Sequence, residues 1–171
     1  MQKSAELNIN LNQRSKDGET AFMYACRHNQ SKIVEMLTQK SAEFNIDLNA
    51  KNDNANTAFH LACLDLMSES AEIIMKKSNE CNIDLNAGDK YGRTAFHVAC
   101  IIGNTKLIGK MIENLEFTNL DLKAKDYSGR TGLNLAEDKE QIDVIHLIKR
   151  KIPHITCELV CELSPKRHRL D

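Results

Sequence analysis

Two short motifs return along this chain at one fixed spacing, and that spacing constrains the fold more than any other feature. Thr20-Ala21-Phe22-Met23-Tyr24-Ala25-Cys26 recurs as Thr57-Ala58-Phe59-His60-Leu61-Ala62-Cys63 and as Thr94-Ala95-Phe96-His97-Val98-Ala99-Cys100. A fourth copy, Thr131-Gly132-Leu133-Asn134-Leu135-Ala136-Glu137, has drifted; every step is 37 residues. A second motif keeps the same period: Asn8-Ile9-Asn10-Leu11, Asn45-Ile46-Asp47-Leu48, Asn82-Ile83-Asp84-Leu85 and Asn119-Leu120-Asp121-Leu122. Two motifs locked to one period mark a single supersecondary unit that buries its apolar face by stacking on its neighbours.

Each Thr can cap the helix that follows by accepting a backbone N–H on its hydroxyl. Phe22, Ala25 and Cys26 then share one helical face, as do their counterparts. A second helix follows, with Ile33, Val34 and Leu37 on one face. Its later equivalents are Leu107, Ile108 and Met111, then Val144, Ile145 and Ile148. In the second copy Ser70 and Ala71 replace the aliphatic pair, leaving Ile73, Ile74 and Met75 to fill the stripe. That copy is expected to pack least well.

The recurring Thr-Ala-Phe-His-(Leu/Val)-Ala-Cys resembles the Thr-Pro-Leu-His-x-Ala signature of ankyrin repeats. Asp89-Lys90-Tyr91-Gly92-Arg93 and Asp126-Tyr127-Ser128-Gly129-Arg130 resemble the family's hairpin. The resemblance covers roughly residues 1–152. It implies an all-α solenoid of stacked helix-turn-helix units with hairpin loops, serving as a protein–protein interaction scaffold and not as an enzyme. On this reading residues 1–12 are the tail of a preceding, truncated repeat, because Lys3–Asn12 matches Lys40–Asn49 almost residue for residue. The chain is then a piece of a longer array or a short member of the family. Repeats occupy 13–49, 50–86 and 87–123, a capping repeat 124–152, and a tail 153–171, part packed and with a disordered basic end.

Three departures from the family pattern carry expectations. The family's Pro after Thr is Ala21, Ala58, Ala95 or Gly132. The Gly that ends the first helix is present only as Gly103; Asn29, Leu66 and Glu140 stand in its place, and Leu66 is unsuited to a left-handed backbone. The common period is 33 residues, so each unit holds four more, around Ser41-Ala42-Glu43-Phe44. The expectation is one more helical turn followed by an extended strand in which Phe44, Ile46 and Leu48 alternate with Asn45, Asp47 and Asn49.

Chemistry offers little beyond the repeat. His60-x-x-Cys63 and His97-x-x-Cys100 suggest metal, but Cys26, Cys63 and Cys100 share the phase of a buried small residue, and the family's His bonds near its own Thr. In the tail, His154-x-x-Cys157-x-x-x-Cys161 with His168 matches no standard zinc finger. An amphipathic segment, with Ile155, Leu159, Val160 and Leu163 covering the last repeat, explains it better. Six Cys, three of them at the repeat spacing, without a signal peptide read as reduced thiols in the cytoplasm or nucleus. The resemblance also places Asn49 and Asn86 where ankyrin hairpins can be hydroxylated, and the recurring Asn8, Asn45, Asn82 and Asn119 read as helix-end or hairpin caps. No catalytic residues, cofactor or metal ligands are assigned. No run of about 18 apolar residues is present to span a membrane. With 23 Lys and Arg against 24 Asp and Glu, no global charge draws the chain to nucleic acid.

The partner surface is expected where the family leaves positions free, at the hairpin tips and the ends of the first helices on the concave face. The helix-end candidates are Arg27, His28, Leu64, Asp65, Ile101 and Ile102; the hairpin candidates are Lys90, Tyr91, Arg93, Tyr127, Ser128 and Arg130. Leu64, Ile101 and Ile102 form either an apolar patch with a polar rim or a core beneath the fourth repeat. Tyr and Arg are the residue types that dominate binding hot spots. The expected partner is a protein, engaged by a monomeric chain. A short ankyrin-type inhibitor of a transcription-factor dimer is a narrower version. A nucleic-acid or nucleotide module, resting on Arg93, Arg130, the two Tyr and the basic stretch Pro165–Arg169, is weaker.

Overall fold

Every Thr of the recurring motif starts a helix. A computed structural model describes residues 10–66 and 68–153. In it Thr20, Thr57, Thr94 and Thr131 all take extended backbone angles ahead of helical ones, and Thr20 Oγ1 accepts the Met23 amide at 3.3 Å. His60, His97 and Asn134 reach back to the amides of Thr57, Thr94 and Thr131, closing reciprocal capping boxes. The described residues form eight helices in four antiparallel pairs and no strand. They are α1 (Ala21–Arg27) with α2 (Ser31–Gln39), α3 (Ala58–Ala62) with α4 (Glu69–Lys77), α5 (Ala95–Ile102) with α6 (Thr105–Glu113), and α7 (Gly132–Asp138) with α8 (Ile142–Lys151). First helices stack on first helices and second on second, in chain order.

The first helix of three pairs ends in a left-handed residue: Asn29, Gly103 and Glu140 have positive φ. In each, the next amide bonds back to the carbonyl five residues earlier (Gln30 to Ala25, Asn104 to Ala99, Gln141 to Ala136), a Schellman closure. Leu66 does not adopt that conformation. Its pair solves the problem by stopping early, so α3 is only five residues long and ends on a right-handed Cys63. Glu140, at φ 55°, carries the steric penalty of a Cβ in the left-handed region. Glu140→Gly is therefore expected to stabilise the chain by about 0.5–1 kcal/mol after the unfolded-state entropy of Gly is offset. The readout is a rise of roughly 1–4 °C in melting temperature.

The four added residues behave as half of the expectation. After α2 the chain makes one more turn, with Phe44 N–H bonded to Lys40 C=O at 3.0 Å and Ile46 N–H to Ser41 C=O at 2.9 Å. The expected strand over Phe44–Leu48 does not form. Asn45 and Asn82 are left-handed, which turns the chain and breaks the alternation. The backbone groups a strand would pair are taken by a column of asparagine side chains. Asn12 Nδ2 donates to Asn45 C=O while its Oδ1 accepts the Asp47 amide, and Asn49 does the same to Asn82 and Asp84. Asn86 repeats the pattern on Asn119 and Asp121. Each step ties one repeat tail to the next.

Phe22, Phe59 and Phe96 lie in one continuous buried column with the Ala and Cys of their motifs. Val34 and Leu37 are buried as expected, but Ile33 is exposed because no described helix lies on that side of α2. In the second pair Ser70 and Ala71 occupy the stripe beside Ile74 and Met75, while Ile73 is only partly covered. Ser70 Oγ is buried with no partner, the one such side-chain atom among the described residues. The tail readings, from His154 to the basic stretch Pro165–Arg169, and the match beginning at Lys3 up to residue 9, lie outside the described residues.

Candidate functional site

The hairpins ahead of each first helix are organised by one acceptor apiece. Ser15 Oγ takes the amides of Asp17 and Glu19, and Asn52 Oδ1 those of Asn54 and Asn56. Asp89 Oδ1 takes those of Tyr91 and Arg93, and Asp126 Oδ1 those of Ser128 and Arg130. Neighbouring tips are joined through their backbones: Asp53 N–H to Asp17 C=O, Lys90 N–H to Asn54 C=O, and Tyr127 N–H to Tyr91 C=O. The tips thus form one ledge along the array.

In the last two hairpins the acceptor is a carboxylate with an arginine of its own. Arg93 Nε and Nη2 lie 2.9 and 2.7 Å from Asp89 Oδ2, and Arg130 Nε and Nη2 lie 3.2 and 3.0 Å from Asp126 Oδ2. Burial opposes ionisation of Asp89, but the Arg93 side chain and the Arg93 and Tyr91 amides outweigh it and hold its pKa below the usual range. Asp126 is likewise lowered against its burial, by the Arg130 and Ser128 amides and the Arg130 guanidinium. The fixed Arg93 places its guanidinium 4.6 Å from the centre of the Tyr91 ring, with Lys90 Nζ at 5.2 Å from the same ring. Lys90 also bonds Asn54 Oδ1 at 2.7 Å. Tyr127 lies across Gly92, where an added Cβ would fall 2.5 Å from the ring. The aromatic ridge depends on that glycine as well as on its φ of 76°.

Behind the ledge, the ends of α3 and α5 and the adjoining hairpins enclose a groove of about 170 Å³. Leu61 and Val98 line it with Leu64, Ile101 and Ile102, and Asn56, Asp89 and Arg93 give it polar groups. Leu64 is 45% exposed and Ile102 38%, while Ile101 is half-buried. The apolar patch is therefore open to solvent and not sealed beneath the fourth pair. Side chains from the following pair hold the helix ends in place: Asn104 Nδ2 donates to Asp65 C=O and Gln141 Nε2 to Ile101 C=O, each at 3.1 Å. Arg27 and His28 sit apart from this groove. Arg27 is ion-paired to Glu19, and His28 packs against Tyr24 in a tilted ring contact with centres 4.4 Å apart.

The histidines and cysteines of the motif are structural. His60 Nδ1 accepts the Thr57 amide at 3.2 Å, leaving Nε2 to donate to Arg93 C=O at 2.8 Å. His97 does the same between Thr94 and Arg130 C=O. Each ring is a bolt from one helix cap to the next hairpin, and burial lowers the pKa of both. Burial also pushes the thiols of Cys26, Cys63 and Cys100 far up, so they are protonated and poor nucleophiles. Among the described residues no group of three His, Cys, Asp or Glu could hold a metal ion, and no helix is long and apolar enough to cross a membrane.

A family model of ankyrin repeats, in three copies, matches residues 2–89. The chain belongs to the ankyrin repeat family. No curated protein matches it by sequence. Ankyrin repeats are in general protein–protein interaction modules, and ankyrin repeat proteins are typically non-enzymatic scaffolds. The same unit continues past Asp89, through two further ankyrin helix pairs ending at Lys151.

The residues singled out in the sequence fall into three places. Leu64, Ile101, Ile102 and Arg93 meet in the groove; Lys90, Tyr91, Tyr127, Ser128 and Arg130 lie along the ledge beside it; Arg27 and His28 stand at the first ankyrin pair. Asp65 enters through its backbone, as the carbonyl that Asn104 holds. Asn56, which the hairpin pattern places among the tips in the column of Arg93 and Arg130, also lines the groove. Sequence reasoning missed Tyr24, which is exposed where the equivalent Leu61, Val98 and Leu135 are buried.

Proposed function

We propose that this ankyrin array binds a protein partner across the hairpin ledge and the groove between its second and third helix pairs. The observation that carries this reading is the open apolar groove walled by Leu64, Ile101 and Ile102. Such a patch costs solvation free energy unless it is covered, and its polar rim is the usual anatomy of an interface. Tyr91 and Tyr127 add rigid aromatic area, and Arg93 and Arg130 are already oriented by buried carboxylates, so little entropy is lost on contact. Partner capture by the immobilised chain from a cytoplasmic or nuclear extract, followed by identification, tests it. Ile102→Lys and Tyr127→Ala should each weaken the identified complex by about 30-fold or more, with melting temperature unchanged. Phe117→Lys, at an exposed site away from the groove, should leave binding intact. Retained binding in both groove and ledge variants would reject this surface.

A further inference from the structure

The groove between the second and third pairs is small, apolar inside and cationic at its hairpin end. Its volume is about 170 Å³. A cavity of about 150 Å³ holds one benzene ring, so the groove is sized for a single large apolar side chain. Asn56 also lines it, and among the described residues nothing hydrogen-bonds the Asn56 side-chain amide. An amide beside an apolar slot offers both a donor and an acceptor to a peptide backbone. The charge comes from the third hairpin. Asp89 is buried with both oxygens in use, Oδ1 by the Tyr91 and Arg93 amides and Oδ2 by the Arg93 guanidinium. Asp89 engages Nε and Nη2 of Arg93 and leaves Nη1 over. Among the described residues no carboxylate pairs with the exposed Lys90, whose Nζ bonds the neutral Asn54 Oδ1. Lys90 and Arg93 converge on the Tyr91 ring, at 5.2 and 4.6 Å from its centre. Two like charges held on one ring repel each other, and an anion between them relieves that repulsion.

We infer that the groove takes an acidic peptide segment of the partner: one large apolar side chain with an Asp or Glu a few residues away. The apolar side chain enters between Leu64, Ile101 and Ile102, and Asn56 bonds the backbone beside it. The carboxylate meets Lys90 and Arg93 over the Tyr91 ring. This rests on the partner surface proposed above and names the chemistry that the surface selects. Asp65 follows Leu64 at the end of α3, so the site is cationic at its hairpin end and not at the other. The acidic residue therefore lies on the hairpin side of the anchor. A nucleic acid would use the cations and Tyr91 but would leave the apolar slot empty.

The test titrates the full chain, by fluorescence anisotropy, with labelled peptides capped at both ends. Each peptide is Ala and Ser apart from one Leu and one Glu, the spacing between the two being varied across the set. At least one Leu–Glu peptide should bind saturably. Replacing its Glu by Gln should weaken binding by about 3–5-fold, and replacing it by Lys by at least about 10-fold. Ile102→Lys should remove binding. Lys90→Glu should erase the preference for Glu over Lys while the melting temperature stays unchanged. Equal binding of the Glu, Gln and Lys peptides, still lost in Ile102→Lys, would overturn the acidic chemistry and leave the partner surface standing. Binding of no peptide would overturn it too, and the Ile102→Lys result with the captured partner would then decide the surface separately. Peptide binding that survives Ile102→Lys would reject both. Displacement of the peptide by oligothymidylate, with Ile102→Lys binding that oligonucleotide as the parent does, would assign the cations to nucleic acid instead.

Discussion

Alanine at His97 is expected to cost about 3–4 kcal/mol, because it strands the Thr94 amide and the Arg130 carbonyl and opens a cavity in a fully buried site. For a chain of this size that is a fall of roughly 10 °C in melting temperature. His97→Asn should recover about half of the loss. It can rebuild the cap, as Asn134 does at Thr131, but it cannot reach the next hairpin. The same geometry sets the response to acid. Protonation would place a second N–H on Nδ1, facing the donor amide it now accepts, and burial disfavours the cation in any case. The folded-state pKa of His60 and His97 is therefore below the ordinary value, and the unfolded chain binds protons first. Stability from these rings is complete above the unfolded pKa of about 6.5 and is lost as pH falls through the lower folded value. Melting curves from pH 7 to 5 should show this decline, and a His60→Asn, His97→Asn double variant should be flatter over the same range. A double variant with the parent's slope would place the acid sensitivity elsewhere.

Asp89→Ala should lower stability by about 3 kcal/mol and disturb the ledge at the same time. The substitution removes the acceptor of the Tyr91 and Arg93 amides and releases the guanidinium that lies against Tyr91 and beside the groove. Asp89→Asn should cost only about 1 kcal/mol, since an amide oxygen can keep both turn bonds. Asn52 does this in the second hairpin. Urea unfolding separates the two variants. If Asp89→Asn costs as much as alanine, the ion pair with Arg93, and not the turn, carries the stability.

Much of the fold was legible because the repeat places each residue type in a column with one physical task. Thr caps, Phe fills, and Ala and Cys allow close approach, and all three behave as their chemistry dictates. The failure over Phe44–Leu48 has a local cause. Apolar alternation signals a strand only when the backbone is extended, and a left-handed Asn45 removes that condition while leaving Ile46 and Leu48 buried. The Asn12, Asn49 and Asn86 ladder was hidden because its partners are backbone groups one repeat away, which no residue pattern displays. The groove was readable because Leu64, Ile101 and Ile102 are apolar beyond the helix face that packing needs. Tyr24 was not, because its exposure follows from its place on the first described helix pair and not from its residue type.

The shortened α3 and the solitary Ser70 hydroxyl have a consequence for how the molecule comes apart. In a linear array each unit is coupled only to its neighbours, so cooperativity passes through the weakest junction. Here that junction is the second unit, with a first helix of five residues and no left-handed closure. The third and fourth units, whose first helices are longer and end in Schellman closures, form the sturdier segment. Local opening then starts at the seam beside the groove, and the wall that carries Leu64 loosens before the wall that carries Ile102. A ligand spanning both walls would act as a clamp, coupling two segments that the backbone alone joins weakly.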